Sequence, residues 1–206
     1  VYLASIAVCV LIGAVVDWCL SRFHRWHILI LSCTSGVLFA LVCVTYQQAG
    51  YWKNGVTLFT RAVAVAPQSA MANNNLAAEL PDDESRLHIF QRAAELEPQY
   101  IVAQRNVAGW YFRHGKIALM EQAYERGIQM LADKKHVSDD DVSIIFEYAE
   151  YLDGKGQSER AMSLLLRAVE LTPNFSEASF NVGIKKEQAG LIDDAMHYYA
   201  RAIALT

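Results

Sequence analysis

Small residues return every 34 positions in the C-terminal part of this chain, and that recurrence limits the fold more than any other feature. Gly156 and Gly190 are 34 apart, as are Ala161 and Ala195, Ala168 and Ala202, Leu171 and Leu205, and Phe146 and Phe180. A fixed period of this length marks a stack of like supersecondary units, each too small to bury its own apolar face. Between the repeated positions the apolar residues follow a helical spacing. Each unit therefore reads as two antiparallel helices. Ala149 and Gly183 in the first helix, and Ala161 and Ala195 in the second, stand where the two cross closely. Gly156 and Gly190 stand at the turn, where a positive φ costs glycine little. Leu165, Tyr199, Val169 and Ile203 are large enough to fill the space between neighbours. Pro173 ends a second helix, since proline does not continue a helix interior.

On these residues, 142–175 and 176–206 resemble consecutive tetratricopeptide repeats. The resemblance implies an all-α solenoid, a right-handed superhelix of helix-turn-helix units. Residues 101–134 fit the pattern through Tyr111, Gly115, Tyr124 and Gly127, with Met120 at a position usually held by alanine. About seven extra residues around Leu131–Asp141 separate this unit from the next, and Ser138 stands ready to cap the following helix. Residues 70–100 carry Asn75, Leu76 and Ala77, then Phe90, Ala93, Leu96 and Pro98. Here Pro81-Asp82-Asp83 replaces the glycine turn. Leu58, Phe59, Ala62, Val63 and Pro67 match a second helix alone, which gives a half repeat over 51–68 and an array over 51–206.

The N-terminal part is a different material. Residues 1–50 hold three formally charged side chains, Asp17, Arg22 and Arg25; the remainder carries a net charge of −5, against −4 for the whole chain. Two apolar runs, about 1–20 and 27–46, each match the roughly 20 residues needed to cross a bilayer. The expectation is two transmembrane helices in a domain over 1–47. The connecting Ser21–Trp26 loop is short and basic, so it favours the cytoplasmic side, with Trp18 and Trp26 at one interface and Tyr46, Tyr51 and Trp52 at the other. The array would then be periplasmic or otherwise extracytoplasmic, on a bacterial inner-membrane protein. Asp17 reads as an intramembrane acid or, nearer Arg22, as an interfacial carboxylate. Ser32, Ser35 and Gly36 suit close packing against other membrane subunits. The chain opens on Val1 within an apolar run and closes on Thr206 where a further helix is anticipated, so it reads as a segment of a longer polypeptide.

The four cysteines, Cys9, Cys19, Cys33 and Cys43, all lie in the apolar block and have no metal-ligand spacing. No metal site, cofactor or catalytic motif is expected, and the mild acidity gives no basic face for nucleic acid. The expected partner is a protein or peptide. In the repeat family the first helix of each unit lines a concave groove. Carried over by repeat position, the resemblance points to Asn74, Arg105, Phe146 and Phe180 at one register, and to Asn75, Asn106 and Asn181 at the next, interrupted by Glu147. Phe112, Glu150, Glu187 and Arg113 follow further along the helices. An asparagine ladder can bracket a peptide backbone, since the amide both donates and accepts; the same amides also serve hydrogen bonds within the array. The phenylalanines read as exposed anchors or as core.

The junction from Thr45 to Ala77 carries a second resemblance. Trp52, Asn54, Leu58, Phe59, Pro67 and Asn74-Asn75-Leu76 are similar to the segment joining the last span to the first repeat in polytopic GT-C glycosyltransferases. These are relatives of protein O-mannosyltransferases that end in tetratricopeptide repeats. That implies a lipid-linked-sugar-dependent transferase in a preceding membrane part, with the repeats presenting the acceptor. No catalytic residue is carried over. Three functions stay open at this point: a membrane-anchored binding scaffold, the acceptor-recognition tail of such a transferase, and a structural subunit of a membrane complex.

Overall fold

The computed structural model describes residues 2–205, with side chains from residue 7 onward, so the first residues of the 1–20 run lie outside the described side chains. The described residues are helical throughout, without a strand. They divide into two units, residues 1–58 and 59–206.

In the first unit, α1 (Tyr2–Arg22) is followed by a 3-10 turn at His24–Trp26 and by α2 (His27–Tyr51). The two helices touch as a hairpin. At 1.5 Å per residue, the 25 residues of α2 extend about 37 Å. The helix His24–Tyr51 is long and apolar enough to cross a membrane, and none of its apolar window is buried. It is the single such helix among the described residues searched. Ile28 is 84% exposed and Phe39 72%. All four cysteines are unpaired. A side chain built at Gly36 would meet nothing within 4 Å, so α1 makes no use of the small residues there. The helix α3 (Gly55–Val65) begins on Asn54, whose Oδ1 accepts from the Thr57 N–H at 2.9 Å. That bond gives the junction asparagine a helix-capping job.

The second unit stacks four hairpins: α4 (Ala70–Glu79) with α5 (Glu84–Leu96), α6 (Ile101–Arg113) with α7 (Ile117–Ala132), α8 (Asp139–Gly154) with α9 (Ser158–Leu171), and α10 (Ser176–Gln188) with α11 (Ile192–Ala204). Each second helix then packs on the first helix of the next hairpin. Three hairpin turns are built alike. Gly115, Gly156 and Gly190 have φ of 65°, 77° and 76°. Each glycine N–H bonds the carbonyl three residues back, at 3.1, 2.8 and 2.9 Å. The next N–H bonds the carbonyl five back, at 2.9 Å in every case. These paired bonds satisfy carbonyls that a helix end leaves open.

The first hairpin has no such glycine and reaches the same end by side chains. Asp83 Oδ1 accepts from the Ser85 and Arg86 N–H groups at 2.9 and 3.3 Å, capping α5. The Arg86 guanidinium turns back on α4, donating through Nε to the Ala77 carbonyl at 2.9 Å and through Nη2 to Ala78 at 2.5 Å.

The core runs between the hairpins. Ile144, Ile145, Leu131 and Leu152 are fully buried, each contributing about 1.5–3 kcal/mol by leaving water. Tyr124 and Tyr148 stack at 5.2 Å between α7 and α8. The insertion lengthens α7 to Ala132 and then forms a loop that is clamped at its far end. Ser138 and Asp141 form a reciprocal capping box at the start of α8. Both Asp141 oxygens receive Lys134 Nζ at 2.6 Å. The acidic run at Asp139–Asp141 therefore serves the helix N-terminus, where negative charge is favourable. Among the described residues, no group of three or more potential metal-ligating side chains comes together.

Two predictions come from this packing. Burial pushes the Asp141 pKa up, but the Lys134 and Ser138 hydrogen bonds overcome it and hold the carboxyl below its ordinary value. Its contribution is therefore full above the unfolded-state pKa of about 3.9 and disappears as pH falls through the lower folded-state value. Asp141→Asn should cost about 2–3 kcal/mol at pH 7, less than the ~3–5 for a fully buried pair, because Lys134 is 22% exposed. Denaturant titrations of variant and parent should converge as the pH drops below 4. Separately, Ser179 Oγ is buried without a partner among the described residues. Ser179→Ala should gain about 1 kcal/mol and raise the thermal midpoint by roughly 2–4 °C.

Candidate functional site on the first-helix face

The first helices crowd one side of the array. The pairs α4–α6 and α6–α8 touch, while no two second helices do. The first-helix side is therefore the inner, concave one. Along it, polar side chains tie one repeat to the next. Asn106 Nδ2 donates to Asn74 Oδ1 at 2.8 Å, and Asn74 Nδ2 donates to Asn75 Oδ1 at 3.4 Å. Asn74 is buried. This amide chain spans two repeats and occupies groups that a peptide-binding ladder would offer. Asn181 is half-buried further along.

Arg105 donates to Ser143 Oγ, and its Nε lies 3.7 Å from Glu147 Oε1. Arg113 makes a two-pronged contact with Asp82, Nε to Oδ2 at 3.0 Å and Nη2 to Oδ1 at 3.2 Å. The Arg113 hydrogen bond holds the Asp82 carboxyl below its usual range. Glu187 Oε2 accepts from the Tyr199 hydroxyl at 2.6 Å. Phe146 packs partly buried against Phe175, with centroids 6.0 Å apart. Two phenylalanines remain open: Phe112 is 52% exposed and Phe180 is 50% exposed.

Phe112 opens onto a pocket of about 650 Å³ between α6, α7 and α8. Gly109 leaves room at its wall, Ile117 and Met120 line it from α7, and Glu147, Glu150 and Tyr151 line it from α8. Tyr151 meets Phe112 edge-on at 6.0 Å. Tyr124 donates its hydroxyl to Glu147 Oε2 at 3.2 Å. Burial, together with that carboxylate, raises the Tyr124 pKa, so the phenol stays protonated. Partial desolvation likewise raises the Glu147 pKa, against the opposing pull of Arg105.

The structure thus brings Phe112, Arg113 and Glu150 to one pocket. Asn74, Asn75 and Asn106 form a separate amide chain, Arg105 is engaged by Ser143 and Glu147, and Phe180, Asn181 and Glu187 lie on α10 and do not line it. Position-by-position transfer missed Tyr124, Tyr151 and Asp82. Tyr124 and Met120 belong to a second helix, whose first turns reach the groove floor. Asp82 sits in the irregular turn that departs from the repeat pattern. A Tyr at 151, one residue after the acid at Glu150, was the available signal for the aromatic wall.

No family model matches the sequence, and no curated protein matches it. Among solved structures, the chain is similar to MamA, with a TM-score of 0.53, 15% identity, 78% of this chain and 92% of that one covered. It is also similar to the MamA RS-1 ArsTM double mutant, with a TM-score of 0.52, 14% identity and coverage of 81% and 93%. YrrB, described as a TPR protein with an unusual peptide-binding site, aligns at a TM-score of 0.49 with 21% identity over 71% of this chain and 74% of its own. At these identities the MamA likenesses show the fold alone: the array is an all-helical solenoid of tetratricopeptide type.

Proposed function

We propose that this chain is a membrane-anchored scaffold whose repeat array binds an extended protein segment along its concave face. The observation that carries the reading is the pocket at Phe112. A half-exposed aromatic, a second aromatic wall and two carboxylates converge there on the inner side of a hairpin stack. Stacked repeats offer such a surface for protein recognition. Exposed aromatics with fixed polar neighbours are the usual anchors of an interface. Anchoring is supported by α2, an apolar rod with no buried window, whose side chains need a non-aqueous surrounding. The basic Ser21–Trp26 turn favours a cytoplasmic hairpin and an extracytoplasmic array in a bacterial inner membrane.

The junction motif favours a second reading, in which the array is the acceptor-recognition tail of a GT-C-type glycosyltransferase. The binding surface would be the same, and the bound segment would be the acceptor. A structural subunit role, with Gly36 left open for another helix, is the third.

Two measurements test the main reading. The chain expressed in a bacterial host should stay with membranes through alkaline carbonate washing and leave only in detergent; release by carbonate overturns the anchor. A photo-crosslinking phenylalanine analogue placed at Phe112 should trap protein partners in those membranes, and the same group at Gln129, on α7, should not. Equal trapping at both positions overturns the groove.

A further inference from the structure

The pocket under Phe112 has a charge preference that follows from which of its ionic groups are already engaged. Its rim holds two cations. Arg113 is taken up by Asp82 through two bonds, at 3.0 and 3.2 Å. Lys155 lies with its ammonium 5.7 Å from the centre of the Tyr151 ring. The acids are less completely matched. Glu147 receives the Tyr124 hydroxyl at 3.2 Å and pairs with Arg105 at 3.7 Å. Glu150 is exposed and has neither a hydrogen bond nor an ion pair among the described residues. It also repels Glu147. A further acid, Glu121, lies near the Tyr151 phenol, and burial together with that carboxylate raises the phenol's pKa.

The walls are aromatic. Phe112 and Tyr151 meet edge-on, which leaves ring faces available, and a ring face attracts a cation. Lys155 on Tyr151 shows that attraction already operating within the chain. An ammonium or guanidinium entering beside Phe112 would relieve the repulsion between Glu147 and Glu150 and pair with Glu150. Its aliphatic stem would lie along Ile117 and Met120. A carboxylate there would meet two acids, and a purely aliphatic side chain would leave Glu150 unmatched.

We infer that the α6–α7–α8 pocket is a subsite for a lysine or arginine side chain of the segment bound in the groove, held between Phe112 and Glu150. This rests on the reading of the concave face as a peptide-binding surface and adds the chemistry of one anchor. Lys155, as a like charge at the rim, opposes that occupant and tunes its affinity downward.

The test uses the full chain in lipid nanodiscs and a display library of random twelve-residue peptides. Enriched peptides should share a lysine or arginine. Against Glu150→Gln, a surface change that leaves the core intact, their affinity should fall about tenfold. Against Lys155→Gln, which removes the competing cation, it should rise several-fold. Replacing the basic residue of a selected peptide by norleucine should cost as much as Glu150→Gln, and the two losses should not add. Peptides enriched without a shared basic residue, or indifferent to both variants, overturn the subsite while leaving the groove reading standing. A library yielding no enriched peptide overturns both.

Discussion

The array depends on how closely two helices of a hairpin approach, because that distance sets whether the faces between hairpins close without voids. At the crossings the chain keeps side chains small or absent. Ala161 and Ala195 are buried on the second helices, and Ala149 and Gly183 on the first. A methyl built at Gly183 would stand 2.6 Å from the Tyr199 ring. Interiors are packed too densely to absorb such an overlap without shifting the ring. The 34-residue recurrence is thus a record of repeated close contact. Where the recurrence lapses, the structure pays elsewhere: Met120, fully buried at an alanine position, lines the one concave pocket described between α6 and α8, beside Gly109.

A second regularity runs along the inner face. Asn106 to Asn74, Arg113 to Asp82, Arg105 to Glu147 and Lys185 to Asp153 each join successive repeats. Exposed ion pairs contribute little singly. Their effect here is to fix which groups are spoken for. A repeat position that looks free for a ligand is occupied when the neighbouring repeat supplies a partner. What these ties leave over on the inner face is Phe112, Phe180 and Glu150.

That distinction explains what the sequence made legible. Hairpin turns at Gly156 and Gly190 were readable because a left-handed turn leaves glycine as the economical choice, and the capping role of Ser138 was readable from the helix-start pattern alone. The turn between α4 and α5 was recognisable only as irregular. Its solution, the Arg86 guanidinium closing α4, joins residues nine apart by side-chain reach, which no repeat period encodes. The candidate site was half legible for the same reason. First-helix positions transfer by register, whereas Tyr124 enters from a second helix, and the pairing of Arg113 with Asp82 is set by a turn that lacks the repeat's glycine. Two long apolar runs were plain in composition. The helices α1 and α2 follow them.

The two units pose separate solvation problems, and this shapes what each can do. In the array, apolar side chains find one another across hairpins, and the large apolar groups left exposed are Phe112, Phe180 and a scatter of aliphatic residues such as Met71, Leu119 and Met196. In α2 there is no such division: Ile28, Phe39 and Val42 point outward around the helix, all more than 60% exposed. A helix apolar on every side gains only a part of its possible burial by packing one stripe against α1, since most of its surface still meets the surroundings. At about 25 cal/mol per Å² the cost of holding that surface in water exceeds what a single hairpin contact returns. Backbone groups satisfied within the helix and side chains without charge from Ile28 to Tyr51 make the opposite choice of surroundings inexpensive.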